Sequence, residues 1–528
     1  MNTVIQEHIV PNRLFNAPDE MYLRGRYWID RKDDSINLLK GNEVSFNTYF
    51  NCLSVDRWRQ ECDITGLSVQ LVGEGQFLLC VHHFGTNQPD KEVFQTYIDF
   101  GKGASQVIAL PVRDDLQTGL IYLKCLALTD AKLNSIEYCT SQPCRTSVRL
   151  GLVITHFNRQ SHVQRSVDRI FNDLLLDERF CNIKLVIVDN SSNLSLDIET
   201  DKIEVIKNKN VGGSGGFTRG LMKLRDDGYT HCCFMDDDAS CEIESIRRTF
   251  AYFSFLKQPK KVSISGALIQ ASNPSIFIEV GGYFRRARYR PVHAGLDSRD
   301  PLVISIVNEN SNQGNYGAWC FFAFAMRDIE HLPYPFFVRG DDVFFSIQNH
   351  LKVQTINGVC TWIEDFAVKE SPLTRYLGLR ATLTLAILQD QMSLSRYIKT
   401  FYRWHKDQVR SYNYSSAIAL EEAARDVLKG PRIFFDDVSG SCFREKIIPL
   451  TNKEKLNVCP NEVQYTYPRL KHRTTIRLLK VFTLDGLLLP SFFSKIQYYR
   501  LSLLPRMAMR RFVLRRYSIL ILNQTVDT

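Results

Sequence analysis

The stretch Cys232-Cys233-Phe234-Met235-Asp236-Asp237-Asp238 sets an apolar run directly before three consecutive carboxylates. The run suits a buried strand. Three adjacent anions repel one another, so a fold keeps them together only where something cationic offsets them. A divalent ion is the natural candidate, because hard Mg2+ or Mn2+ takes oxygen ligands and bridges to diphosphates. Ligands of open α/β sheets bind at the carboxyl ends of strands, which is where these acids fall. The competing reading is a solvated acidic turn, and three acids alone would favour it. The flanking sequence reverses the preference.

Upstream, Leu150-Gly-Leu-Val-Ile-Thr155 is a short apolar run suited to a buried parallel strand, with His156-Phe-Asn-Arg159 as its loop. Apolar residues at 163, 167, 170, 171, 174 and 175 predict a helix over 161–176. Further strands are predicted at 183–188, ending in Asp189-Asn190, and at 203–206, ending before Asn210. This order predicts a parallel α/β unit of the nucleotide-binding kind. Asn210-Val-Gly-Gly-Ser-Gly-Gly-Phe217 has four glycines in five positions, about twenty residues before the acids. Such a segment lets backbone approach a ligand and opens a helix. It lacks the Lys-Ser/Thr of a P-loop and follows the third strand, so it is not a dinucleotide fingerprint either.

Downstream, a helix is predicted over 242–256, and strands over 263–269 and 276–284. A polar loop is expected over 285–301, then an aromatic strand over 316–324. A second apolar run, Phe336-Phe-Val, leads to Asp341-Asp342. One of this pair is a candidate general base. The other reading has one capping a helix from Val343 while its neighbour is exposed.

A chain of 528 residues exceeds one core, so two or three domains are expected. Residues 1–148 carry short alternating segments at 67–72, 76–81, 106–112 and 119–128, which suggest a β-sandwich or jelly roll. Residues 149–372 hold the α/β pattern. Residues 373–528 read as helical, with helices at 373–392, 393–408 and 415–428. No apolar run approaches the ~18 residues of a membrane span, and the polar start predicts no signal peptide. A cytoplasmic location follows as an expectation. Fourteen cysteines, without paired zinc spacing, read as reduced thiols. Residues 469–528 carry +10 and the preceding residues −1. A neutral body with a basic tail argues against a nucleic-acid binder. Basic clusters among apolar residues (Arg510-Arg511, Arg515-Arg516) suit the anionic inner face of a cytoplasmic membrane, although a helix packed on the domain would carry the same pattern.

Thr155-His-Phe-Asn-Arg159, Val188-Asp-Asn190, the glycine segment, Asp236-Asp-Asp238, Gly317-Ala-Trp319 and Gly340-Asp-Asp342 occur in that order. Together they resemble the galactofuranosyltransferases of the family 2 glycosyltransferases. Thr48-Tyr-Phe-Asn51 with Trp58, and Leu484 to Pro490, resemble the flanking regions of that family. The resemblance implies a GT-A core with a Rossmann-like mixed sheet, preceded by an all-β sandwich and followed by a helical region. It implies inverting transfer of galactofuranose from a UDP-sugar to a glycan, lipid-linked, in a cell-surface polysaccharide such as O-antigen. Thr155, Arg159, Asp189, Asn210, Gly212, Gly213, Asp236 and Asp237 would meet the donor. Asp236 and Asp238 would hold Mn2+ or Mg2+. Trp319 and Asp341 would line the sugar or acceptor pocket, and Asp342 would be the base.

The chain departs from the family pattern twice. Ile363 stands where relatives have a metal-binding His, with Glu364, Asp365 or water as candidate substitutes. Phe344 stands where relatives often have an acid. Two alternatives follow: a family 2 transferase using another nucleotide sugar, or a carbohydrate-binding or assembly subunit with a decayed core. Intact acidic clusters argue against decay. A homo-oligomer is compatible with all three readings.

Overall fold

The computed structural model describes residues 2–454 apart from 13, 63, 111–117, 199, 258–260 and 310–313. The basic tail and the 484–490 stretch lie outside the described residues.

The N-terminal part is all-β, and its strands form one hydrogen-bonded ten-stranded sheet. Two segments that read as separate strands are one, Leu67–Gly85, paired along its length with Gln88–Ala109. A register shift between Gly73 and Gly75 breaks the alternation without ending the strand. Before the shift the strand's other edge pairs with Ala131–Thr140, and after it with Leu120–Ala127. One strand thus feeds two branches of the sheet.

The α/β part begins with β1 (Leu150–His156), α1 (Gln160–Ile170), β2 (Ile183–Asp189), β3 (Ile203–Lys207), α2 (Gly212–Asp226), β4 (His231–Asp236) and α3 (Ile243–Phe255). It continues with β5 (Val262–Ser265), β6 (Ala267–Gln270), β7 (Phe277–Glu279), β8 (Phe322–Ala325), α4 (Asp341–Gln348), β9 (Lys352–Gln354) and β10 (Cys360–Ile363). The main sheet runs β3-β2-β1-β4-β8-β5-β9. Only β8 is antiparallel to its neighbours, so the sheet is mixed and otherwise parallel. Residues 150–154 and 231–235 are buried throughout, as strands covered on both faces must be.

Several elements differ from the sequence reading: the strand expected over 276–284 is two strands, Phe277–Glu279 and Gly282–Phe284, in two sheets, and the one expected over 316–324 covers only Phe322–Ala325. The predicted strand over 263–269 is two strands in two sheets, β5 and β6, broken at Gly266. A Cβ on Gly266 would lie 2.9 Å from the Phe321 side chain, so glycine permits the switch. The first helix continues past Ile170 as a wider turn, Phe171–Leu175, which keeps Leu174 and Leu175 buried. The 285–301 loop contains the strand Tyr289–Pro291, paired with Gly282–Phe284.

After the α/β part come α5 (Pro372–Leu388), α6 (Leu394–Arg410) and α7 (Tyr414–Leu428). Ser371 and Thr374 form a capping box that fixes the start of α5. One apolar cluster runs from Ile5 through Trp58 and Leu152 to Trp362, so the β-sheet part and the α/β part share a core. Among the described residues no helix is long and apolar enough to cross a membrane.

Candidate active site

Register brings the ends of three strands level: Thr155 of β1 lies opposite Asp236 of β4 and Val188 of β2, and His156 opposite Asp189. The three acids then diverge. Asp236 is half-buried, and burial, then the charges of Asp238 and Asp237, push its carboxyl up to about 7. The Cys320 thiol donates to its Oδ2 at 3.3 Å. Asp237 turns back into the protein, accepting from the Phe157 N–H at 3.0 Å and from Arg159 Nη1 at 2.7 Å. It therefore anchors the loop after β1. Asp238 Oδ2 carries two cations, Arg159 Nη1 at 3.1 Å and the Lys369 ammonium. The expected charge compensation is present as side-chain cations.

The expected nucleotide residues are largely engaged with their own loops. Asp189 is buried and accepts from the backbone of Ser191, Ser192 and Leu194. Burial alone would raise its pKa, but these hydrogen bonds outweigh it and hold the carboxyl below its ordinary value. Asn210 Oδ1 accepts from Gly212 N–H at 3.1 Å, and Asn190 donates to the Gly212 carbonyl. The glycines lie inside the first turns of α2. A Cβ on Gly216 would meet Thr155 at 2.3 Å, and one on Gly220 would meet Val153 at 2.3 Å. These two allow the helix to close onto β1. Gly212 has φ 71°, and a Cβ there would lie 2.1 Å from the Phe337 carbonyl oxygen, whereas a Cβ on Gly213 would meet only ordinary contacts from 3.6 Å. Thr155 Oγ1 is buried with no hydrogen-bond partner in the structure.

On the opposite wall, α4 starts at Asp341, not at Val343. Phe337 (φ 75°), Arg339 (φ 72°) and Gly340 (φ 83°) bend the chain sharply before it. Asp341 is buried and accepts from Ser214 Oγ of α2 at 2.9 Å. Asp342 is half-buried and accepts from the Val343 N–H at 2.8 Å. The pair diverges because successive helical residues point about 100° apart. Burial raises both carboxyls. The charge of Asp342 acts on Glu279 of β7, whose carboxyl burial and this charge push up to about 8. Tyr316 donates its hydroxyl to Glu279 Oε2 at 3.2 Å.

Trp319, expected to line the sugar pocket, is 4% exposed. It packs edge-on against Phe217, Phe234 and Phe345 with its indole N–H unpartnered, so it is part of the core and not of an open pocket wall. Phe344 is buried against Tyr334 and Phe336.

Ile363 packs with Ala239, Leu268, Ala318 and Cys320 and offers no ligand atom. Of its candidate substitutes, Asp365 accepts from Ser272 and Glu364 is exposed, 3.9 Å from Lys369. Among the described residues no three His, Cys, Asp or Glu side chains converge as a ready metal cage. The set Asp236 and Asp238 still fits a hard cation completed by diphosphate oxygens, since Mg2+ commonly takes one or two carboxylates plus phosphates.

Sequence reasoning missed Lys369, Glu279 and Cys320. Glu279 was detectable as the one charge in the apolar run Ile276-Phe-Ile-Glu279-Val. Lys369 and Cys320 reach the acids only through the fold.

Residues 152–266 match the family model described as glycosyl transferase family 2. The chain is 23% identical to the galactofuranosyltransferase GlfT2 of Mycobacterium tuberculosis over 443 residues, 76% of this chain and 67% of that protein. It is 22% identical to GlfT2 of Mycolicibacterium smegmatis over 436 residues, 76% of this chain and 66% of that protein. The alignments thus span about two thirds of the relatives' own length. Solved structures that are similar include the mannosyltransferase PcManGT of Pyrobaculum calidifontis in complex with GDP-Man and Mn2+. It is 12% identical with TM-score 0.30, covering 59% of this chain and 87% of that one. Mannosyl-3-phosphoglycerate synthase of Rubrobacter xylanophilus is 14% identical with TM-score 0.28, covering 47% and 77%. The protein is a glycosyltransferase. Its catalytic part carries a family 2 domain, and the chain is similar over most of its length to galactofuranosyltransferases.

Proposed function

We propose that this glycosyltransferase moves galactofuranose, with inversion, from UDP-galactofuranose to a growing glycan carried on a lipid. The observation that carries the reading is the pairing of two acidic walls. Asp236 and Asp238 stand at the end of β4 beside Arg159 and Lys369. Asp342 stands in the first turn of α4, near enough that its charge acts on Cys320, the thiol that donates to Asp236. The first wall suits a diphosphate; the second suits a hydroxyl that must lose a proton.

In this reading Asp342 takes the proton of the acceptor hydroxyl as its oxygen bonds to the anomeric carbon. The bond from that carbon to the UDP oxygen breaks, and the electron pair leaves on UDP. Arg159 and Lys369 offset the charge that develops there. Asp236 and Asp238 would hold Mn2+ or Mg2+, which supplies Lewis-acid charge on the diphosphate when bound. Thr155, Asp189, Asn210, Gly212 and Gly213 would shape the nucleotide side, with Asp237 fixing Arg159. Trp319 would support the sugar subsite from below.

The basic residues 469–528 support a peripheral position on the cytoplasmic face of the membrane, where a lipid-linked acceptor would sit. The decisive experiment offers a panel of UDP- and other nucleotide sugars with and without Mn2+ and measures nucleotide release and transfer. Turnover with UDP-galactofuranose alone is expected. Turnover with a pyranosyl or rhamnosyl donor in its place would overturn the donor assignment.

A further inference from the structure

Lys369 closes a short turn, Phe366–Lys369, between β10 and the capped start of α5. Its ammonium sits on Asp238 Oδ2, the same oxygen that Arg159 Nη1 contacts at 3.1 Å. Glu364 Oε2 is 3.9 Å from it. Its side chain is 26% exposed, open enough to swing without unpacking the core. Below it, Ile363 gives no ligand atom.

The charges constrain what can enter. Asp237 and Asp238 engage Arg159 and Lys369, with Asp236 beside them and Glu364 at the edge, so both cations are already committed. A divalent ion arriving alone must displace a cation already seated on Asp238, and leaves that cation without a partner. A divalent ion arriving with a diphosphate brings the anion to which the displaced ammonium can turn, forming charge-assisted hydrogen bonds. A lysine on a flexible stem is suited to such an exchange, whereas Arg159 is fixed by Asp237.

We propose that Lys369 is a diphosphate-binding residue that guards Asp238 in the donor-free protein and passes to the diphosphate when nucleotide and metal arrive together. Metal binding is then conditional on the nucleotide. The inference rests on the nucleotide-donor reading above.

The test uses the full chain with Mn2+ and UDP as probes. Free Mn2+ is counted by electron paramagnetic resonance, and UDP affinity is measured by calorimetry in saturating Mn2+. Wild type, K369M, K369Q, K369R and D238N are compared after circular dichroism confirms that each is folded. K369M and K369Q should each bind Mn2+ without UDP several-fold more tightly than wild type. Each should bind UDP about tenfold more weakly, the size of one charge-assisted hydrogen bond. K369R should keep most of the UDP affinity. An unchanged UDP affinity in K369M and K369Q overturns the proposal, as does unchanged Mn2+ affinity without UDP. If wild type binds no UDP, or D238N leaves Mn2+-dependent UDP binding intact, the donor-site reading itself falls. If D238N abolishes that binding while the Lys369 variants match wild type, only the role of Lys369 falls.

Discussion

Asp341 and Asp342 are neighbours with different partners, and the proposed mechanism gives them different work. Asp341 is tied to Ser214 and joins α4 to α2. Asp342 faces the side where Glu279 and Tyr316 stand. Removing the proton acceptor as Asp342→Asn should lower kcat roughly 10²-fold or more while UDP affinity changes little. Asp341→Asn should instead lower the melting temperature, because it weakens a buried hydrogen bond to a carboxylate. An active Asp342→Asn beside a dead but fully stable Asp341→Asn would reverse the assignment. A base must be ionised, and burial raises Asp342. The acid limb of kcat/KM should therefore lie above the usual carboxylate range, with activity rising as pH rises through it. Glu279 gives a stability counterpart. Its folded pKa of about 8 lies above the ordinary 4.5, so the folded state holds the proton more tightly. The contribution is complete below 4.5 and is lost as pH rises towards about 8. Glu279→Gln should flatten that part of the melting temperature against pH, and an unchanged slope would contradict a half-buried side chain that holds its proton.

At the level of single elements, the glycines of α2 divide their work. Its glycines suggest a ligand loop, yet Gly216 and Gly220 are spent on contact with β1. Gly220→Ala should cost on the order of 1–3 kcal/mol by overpacking against Val153. Gly213→Ala, whose Cβ would sit 3.6 Å from Val338, should be neutral or stabilise the helix by up to about 1 kcal/mol. Chemical denaturation of both variants checks the contrast. The parallel strands β1, β2 and β4 are legible in the sequence because burial on both faces makes continuous apolar runs. The acids at 236–238 and 341–342 are legible because charge directly after such a run marks the place where a buried strand or loop surfaces at the edge of the sheet. The N-terminal strands are harder to read, because Gly73 to Gly75 look like a turn and only pairing with a partner reveals a bulge. Glu279 and Lys369 join the site from β7 and from the turn after β10, and no local pattern links those stretches to β4. The start of α4 lies two residues before Val343 because Gly340, in the left-handed region, already begins it.

Among the described residues the β-sheet part and the α/β part are built around one shared apolar cluster. Trp58 from the β-sheet part stands edge-on to Tyr252 of α3, and Phe15 stacks on Trp362 of β10 at 4.2 Å. Beside them, buried Arg248 of α3 pairs with Glu244 and donates to the Glu7 carbonyl. Heating should thus unfold the β-sheet part and the catalytic sheet in one transition by calorimetry. Trp58→Ala should destabilise both together by about 3–5 kcal/mol. Separate transitions, with only the first moved by the mutation, would show two independent bodies. The antiparallel strand β8 carries one more consequence, for synthesis. It fills the gap between β4 and β5, although it is made nearly sixty residues after β5. A ribosome that has completed β4 and β5 has built the inner edges of the sheet without the strand that joins them. Until residue 325 emerges, β4 offers an apolar strand edge to any passing chain. Nascent chains arrested between residues 270 and 320 should be the ones that chaperones hold, and release from them should follow the arrival of β8.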